Sequence, residues 1–310
     1  MLAAQPSLSR RRWLRGAVKG AAWGAGGLGL AGAGALVACS ESAQTNHTGP
    51  LAPHEAALPS QPRVAWVFSS GGPRGFVHVG VVQALQELGL KPDLIVGASA
   101  GALAAVLCAA GMEGTRMREL ALSLPVWELA RVAWGAPERL STLGLRDWVG
   151  GQLQQRSLQQ LAVPVACAAW NRDRQRLVPF TAGDAGLAVA ASCAIEGQFA
   201  PVLIHGEAHV DADLHQPMPV RLARSLGAQR VLAVDASAHE WNAPPGTERW
   251  RPGDLRKRAL TQPDADAADV LLHPDLGYYA SISQDYRARV MAIGYRETLA
   301  QADRLRALHG

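Results

Sequence analysis

The chain has 310 residues, a formal charge of +4 at neutral pH, 48% hydrophobic residues and 18% charged ones. That length and apolar content exclude a disordered or fibrous chain and allow one substantial buried core. The basic excess is not a nucleic-acid signature, because Arg10, Arg11, Arg12, Arg15 and Lys19 cluster ahead of the part that can fold.

In chain order, Ser9-Arg10-Arg11-Arg12-Trp13-Leu14 leads into an uncharged glycine- and alanine-rich run from Gly20 to Ala38. The run ends in Leu36-Val37-Ala38-Cys39. Basic, apolar and cleavage regions in that order make residues 1–38 a secretory signal. The paired arginines resemble a twin-arginine export signal, and Leu-Val-Ala-Cys resembles a bacterial lipobox. That resemblance makes Cys39 the lipid-modified first residue of an exported, membrane-anchored protein. Ser40 in place of an aspartate points to the outer membrane, facing the periplasm. An uncleaved spanning helix is the alternative, but its glycine content makes a poor lipid-facing surface. Residues 39–62, with Ser, Thr, Pro and Gly and no periodicity, read as a flexible tether, leaving 63–310 as the folded domain.

Val64-Ala65-Trp66-Val67-Phe68 reads as a buried strand. It runs into Ser69-Ser70-Gly71-Gly72-Pro73-Arg74-Gly75, and a helix follows on Val77, Val81, Val82, Leu85 and Leu88, stopped by Gly89. A glycine-rich loop between strand and helix presents backbone N–H groups to an anion. No Gly-Lys-Ser/Thr follows, which excludes a nucleotide P-loop, and the glycines do not fit the dinucleotide pattern. Pro73 has no N–H to give and biases Gly72 away from helical dihedrals, so Gly71 and Gly72 are the candidate donors.

Asp93-Leu94-Ile95-Val96 is a second apolar run, followed by Gly97-Ala98-Ser99-Ala100-Gly101 and a helix to about Ala110. Strand, sharp turn and helix is the setting in which a serine becomes a nucleophile. Gly97 and Gly101 leave room for the turn, and the helix dipole favours negative charge developing at Ser99. One βα unit after a glycine loop, the loop is better read as an oxyanion hole than as a phosphate site.

Further strands are expected at Val163–Ala169 and Arg230–Asp235, and a strand, tight turn and strand across Val202 to Asp211. Helices are expected at Arg116–Ser123, Asp184–Ala191 and Pro219–Ser225, with a last one from about Ser283 to Leu308. The alternation predicts an α/β fold: a largely parallel sheet with helices on both faces. Both loops then lie at carboxyl ends of strands, where such sheets place their sites. Residues 236–269, rich in Pro and Asp, read as a mobile insertion. Trp127, Trp134 and Trp148 serve either the core or an apolar wall for acyl chains. Cys108, Cys167 and Cys193 sit in apolar surroundings and read as buried thiols. His78 reads as a helix-packing residue. His205 and His209 share a zinc-like spacing, but on a hairpin they need not converge, and no metal is expected.

Ser70-Gly71-Gly72-Pro73-Arg74-Gly75 followed by Gly97-Ala98-Ser99-Ala100-Gly101 resembles the patatin-like phospholipase family, in its bacterial single-domain form. The resemblance continues through Ala191-Ser192-Cys193-Ala194-Ile195, Phe199-Ala200-Pro201-Val202, Val210-Asp211-Ala212 and Pro217-Met218-Pro219-Val220. It reaches His273-Pro274-Asp275-Leu276-Gly277 and Ala292-Ile293-Gly294-Tyr295, so it covers roughly residues 63–300. It implies a three-layer α/β/α fold and a Ser–Asp dyad, with Ser99 the nucleophile and Asp211 its base. It also implies an oxyanion hole at Gly71 and Gly72 supported by Arg74 and Gly75, and hydrolysis of lipid acyl esters without a cofactor. An ordinary α/β-hydrolase has the wrong strand order, and the late histidines His239 and His273 carry no motif. Ala212 stands where the family has glycine, Asp213 brings a second carboxylate, and Glu196 stands where a proline is common. These departures keep open an alternative: a catalytically weakened lipid-binding or envelope protein on the same fold.

Overall fold

The computed structural model describes residues 45–133 and 136–310. The leader, Cys39 and Trp134 lie outside the described residues.

The first element, β1 (Asn46–His47), is a two-residue edge strand. The composition here reads as a tether, and the structure differs: this segment is bonded to the domain. His54 N–H donates to the Ala182 carbonyl at 3.0 Å, Ala56 N–H to Thr181 Oγ1 at 2.7 Å, and Ala52 is buried. These ties, one to a backbone carbonyl and one to a threonine hydroxyl, are made by polar and small residues and leave no trace in hydrophobic periodicity.

Next, β2 (Val64–Phe68) is buried along its whole length. Val64, Trp66 and Phe68 enter a larger apolar core, whereas Ala65 and Val67 enter a smaller one on the opposite face. This two-residue alternation with both faces apolar is what a strand between two helical layers requires. After a 3-10 turn come α1 (Val77–Glu87), β3 (Leu94–Ala98), α2 (Ala100–Ala109) and α3 (Gly114–Ser123). A small antiparallel pair, β4 (Arg131–Val132) with β5 (Leu140–Ser141), precedes α4 (Leu143–Gln152). The chain continues with β6 (Val165–Asn171), β7 (Arg176–Phe180), α5 (Ala185–Ser192), β8 (Val202–Ile204) and β9 (Glu207–Val210). The last part holds α6 (Val220–Ser225), β10 (Arg230–Val234), α7 (Arg251–Asp266), β11 (Val270–Leu272), α8 (Gln284–Ala300) and α9 (Ala302–His309).

The main sheet runs β1-β8-β9-β6-β3-β2-β10-β11, with β7 also paired to β6. From β6 to β11 every step along this order is parallel, as expected. In the other half β8 and β9 form the expected antiparallel strand-turn-strand, whereas the antiparallel pairing of β7 and β9 with β6 was not anticipated. The hairpin joining β6 and β7 is absent from the sequence reading, since β7 carries a proline and an exposed arginine that hide its alternation.

From β2 the chain builds first to one side, through β3 and β6, and later to the other, through β10 and β11. The carboxyl end of β2 is therefore a switch point, where open α/β sheets form their crevice. Two further expectations are corrected. The Pro- and Asp-rich region 236–269 contains α7, a helix of 16 residues. The final helix is interrupted at Gln301, giving α8 and α9.

Candidate active site

Ser99 joins β3 to α2 with φ 55 and ψ −124, a left-handed conformation costing an L-residue about 1–2 kcal/mol. The turn closes because its flanking positions lack side chains. A Cβ on Gly97 would lie 2.3 Å from the Gly101 carbonyl oxygen, and one on Gly101 2.2 Å from that of Phe68. The Ser99 N–H donates to Ser192 Oγ at 2.8 Å, and that hydroxyl donates to the Ala168 carbonyl at 2.6 Å. Ser192 thus fixes the elbow to β6 and α5. Nothing in the local sequence around Ser192 signals this task, because its partners lie 93 and 24 positions away.

The glycine loop sits directly against the elbow. Gly75 approaches Ala100 so closely that a Cβ would come within 2.4 Å of the alanine methyl. Gly72 takes φ +52 and opens the 3-10 turn Gly72–Phe76, and Pro73 is its second residue, where the missing N–H is harmless. Ser69 N–H goes to Val234 O, Ser70 N–H to Pro217 O and Arg74 N–H to Gly71 O. Among the described residues these bonds pass over the amides of Gly71 and Gly72. Arg74 reaches across to the Tyr278 carbonyl and ties the turn to the loop before α8.

Beneath this loop His78 is fully buried, with Nε2 2.9 Å from the Ser69 carbonyl. A carbonyl only accepts, so Nε2 carries the hydrogen. Burial drives the imidazole down to about 4 against the opposing pull of the Ser69 carbonyl and Asp235. It is a neutral prop at physiological pH.

Asp211 follows β9 directly and caps a 3-10 turn, Ala212–Leu214. It is 2% exposed, its N–H donates to the Ala194 carbonyl, and Oδ1 accepts the Asp213 N–H at 2.9 Å. Oδ2 is buried with no formed hydrogen bond. Burial, reinforced by the Asp213 carboxylate, raises Asp211 from 3.8 to about 7, while the Ser99 hydroxyl and Lys257 pull downward. Serine and carboxylate are therefore neighbours without a completed bond, as is common before a substrate closes the site. Ala212 does not need the left-handed backbone that a glycine there would favour, since its φ is not positive and it packs fully buried.

Cys193 follows α5 and places its thiol beside Ser99 and Asp211. Burial and the Asp211 charge hold it well above its usual range, so it is a neutral wall and not a competing nucleophile. The zinc-like pair separates: His205 is exposed in the turn at φ 52, whereas His209 is buried against Asn171. Among the described residues no group of three or more His, Cys, Asp or Glu is arranged to hold a metal.

A cavity of about 280 Å³ opens from Ser99. Ala100, Leu103, Ala104 and Leu107 form one stripe of α2 along it, and Met117, Leu145, Trp148 and Cys193 help close it. Trp148 thus serves as wall, while Trp127 is 68% exposed and belongs to no core.

Fold and site together describe a hydrolase-like α/β protein with a serine elbow, a glycine loop and a buried acid on one apolar pocket. Residues 66–224 match the patatin-like phospholipase profile, and the chain belongs to that family. An uncharacterised NTE family protein of Mycobacterium tuberculosis is 30% identical over 183 residues, 58% of this chain and 51% of that protein. Lysophospholipase NTE1 of Mycosarcoma maydis is 26% identical over 187 residues, 58% of this chain and 10% of that protein. The match thus spans about half of the mycobacterial relative and a tenth of the fungal one. VipD from Legionella pneumophila aligns in structure over 86% of this chain and 72% of its own, with 14% identity and a TM-score of 0.46.

Proposed function

We propose that this protein is a serine acyl hydrolase that releases a fatty acid from lipid esters. Ser99 Oγ attacks the ester carbonyl carbon while its proton passes to Asp211 Oδ2. The carbonyl electron pair moves onto oxygen, which the amides of Gly71 and Gly72 hold. Collapse expels the alcohol oxygen, which takes the proton from Asp211 and leaves an acyl-Ser99. Water then attacks this ester, giving its proton to Asp211. Ser99 departs as the hydroxyl by taking that proton back, and the fatty acid leaves.

The single observation that carries this reading is the orphaned, buried Oδ2 of Asp211 beside the strained Ser99 elbow. A carboxylate held near 7 accepts a proton far more readily than an ordinary aspartate and is still substantially ionised at neutral pH. The family match and the lysophospholipase relative support lipid esters as substrates.

The cavity suits one acyl chain. A cavity of about 150 Å³ accommodates benzene, so 280 Å³ has room for roughly ten to twelve carbons. The α2 stripe from Ala100 to Leu107 rises roughly 10 Å, the length of about eight carbons of extended chain. We assign the acyl chain to this cavity and leave the alcohol portion outside it.

We further propose export and anchoring through a lipidated Cys39, beyond the described residues. Cys39→Ala should lose palmitate labelling and move the protein to the soluble fraction, whereas unchanged labelling would refute the anchor.

The defining experiment compares the purified protein and Ser99→Ala on aryl decanoate and on lysophospholipid. Wild type should release product, and the variant, equally folded by circular dichroism, should not. Equal rates would refute the nucleophile. Lipid copurification with no labelling by a fluorophosphonate would favour a lipid-binding protein instead.

A further inference from the structure

Two loops must be held in register for this chemistry, and one side chain from a remote helix touches both. Lys257 Nζ on α7 donates to Ser70 Oγ at 2.8 Å and forms an ion pair with Asp213 Oδ1. Ser70 Oγ donates to the same Asp213 oxygen, closing a three-membered network. Ser70 immediately precedes Gly71, the first candidate oxyanion donor. Asp213 gives its N–H to Asp211 Oδ1 at 2.9 Å. The ammonium thus sits one bond away from the donor loop and one residue's backbone away from the base.

We propose that Lys257 is a positioning residue, clamping the oxyanion loop to the acid turn and offsetting the Asp213 charge beside the base. The proposal rests on the reading of Ser99 and Asp211 given above.

The rest of α7 is built to deliver that lysine. Asp264, seven residues and two turns further on, is fully buried and accepts from the Arg221 N–H at 2.7 Å and Gln216 Nε2 at 2.9 Å. Asp254, three residues before the lysine, accepts from the Tyr278 hydroxyl at 2.6 Å. Tyr278 is the residue whose carbonyl receives Arg74 of the glycine loop. Asp254, Lys257, Thr261 and Asp264 therefore form one inward stripe, polar throughout, with Thr261 also buried.

The same geometry explains why an acid is tolerated two residues after the base. Two carboxylates on one turn disfavour each other's ionised form, and a nearby ammonium relieves this. The groups facing Asp211 are Asp213 on its own turn, Ser99 on the elbow, Cys193 after α5 and Lys257 on α7. Cys193 stays a neutral thiol through neutral pH, which leaves Asp213 and Lys257 as the opposed charges. Asp213 pushes Asp211 up, and Lys257 pulls it down.

The test uses the full chain with Lys257→Met, Lys257→Arg and Asp213→Asn. In Lys257→Met the midpoint of the acid limb of kcat/KM should rise by at least about half a pH unit. In Asp213→Asn it should fall, and Lys257→Arg should stay close to wild type. A purely structural lysine would lower the rate in folded protein without moving the two midpoints in opposite directions. A readout independent of turnover is amide hydrogen exchange. Lys257→Met should accelerate exchange in residues 69–76 and 211–215 together, even in a Ser99→Ala background. Unchanged exchange in both segments, or midpoints that stay fixed in folded variants, would overturn the clamp. Activity that survives Ser99→Ala would instead defeat the reading of the nucleophile, leaving the exchange result to decide the clamp.

Discussion

At the scale of single residues, Asp211 in its proposed role couples function to stability. Its pKa is raised on folding from 3.8 to about 7, so the native state holds a proton that the unfolded chain has already released between those values. That contribution is full below about 4 and is lost as pH rises through 7, a swing on the order of 4 kcal/mol. Asp211→Asn should therefore abolish turnover yet gain stability relative to wild type as pH rises from 5 to 9, read as urea midpoints. A variant whose relative stability is independent of pH would show that no strained carboxylate exists there. Activity should likewise follow an acid limb centred near 7, the base working only when ionised. His78 acts in the opposite direction. Depressed from 6.5 to about 4, it leaves stability intact above about 6.5 and erodes it as pH falls toward 4. His78→Gln should flatten that acid slope in chemical denaturation.

Much of the candidate site's backbone geometry was legible in the sequence at this scale because its demands are steric and local. Gly97, Gly101 and Gly75 announce close approaches, and the structure shows what each avoids. Pro73 marks the first turn of the 3-10 segment that opens at Gly72. Ser192, Lys257 and Ser70 were not legible in these roles. Their contacts span 93, 44 and 187 positions, and a hydroxyl or ammonium in the sequence does not say which remote atom it meets.

At the scale of elements, the proposed function has α2 serve both ends of the substrate. Its N-terminus begins at Ser99, the proposed nucleophile, and its Ala100, Leu103, Ala104 and Leu107 face lines the cavity. Each methylene buried there is worth about 0.8 kcal/mol, or roughly fourfold in kcat/KM if expressed in the transition state. Aryl esters should thus climb steeply from four to about ten carbons and then level or fall. Leu107→Trp should move the optimum to shorter chains, and an unshifted optimum would remove the acyl chain from this cavity. Gly101→Ala should destabilise the fold by at least about 1–3 kcal/mol, because its methyl meets the Phe68 backbone at the end of β2. Apolar periodicity made β2, β3, β6 and β10 of the parallel half readable, but not the three-residue edge strand β11. It missed α7, whose inward stripe is Asp254, Lys257, Thr261 and Asp264. The spacing is helical, but a search for apolar recurrence sees only a Pro- and Asp-rich stretch.

At the scale of the whole molecule, the switch point beside β2 explains why residues distant in the chain meet. The glycine loop leaves β2, the elbow leaves β3, and the acid arrives from the antiparallel β9 on the far side of β6. The order of parallel strands follows from alternating βα units, whereas the antiparallel half depends on pairings between short strands with polar residues. The sequence therefore conveyed the α/β class and the β8–β9 hairpin, and left β1, β7 and the pairing of β9 with β6 undetermined. The most direct test of this convergence is rapid-mixing hydrolysis of an aryl decanoate, with the protein quenched and digested for mass spectrometry. A burst of aryl product and a decanoyl adduct on the peptide carrying Ser99 are expected, stronger once Asp211 is ionised. Turnover without any acyl-Ser99, or with the adduct on another residue, would contradict the account.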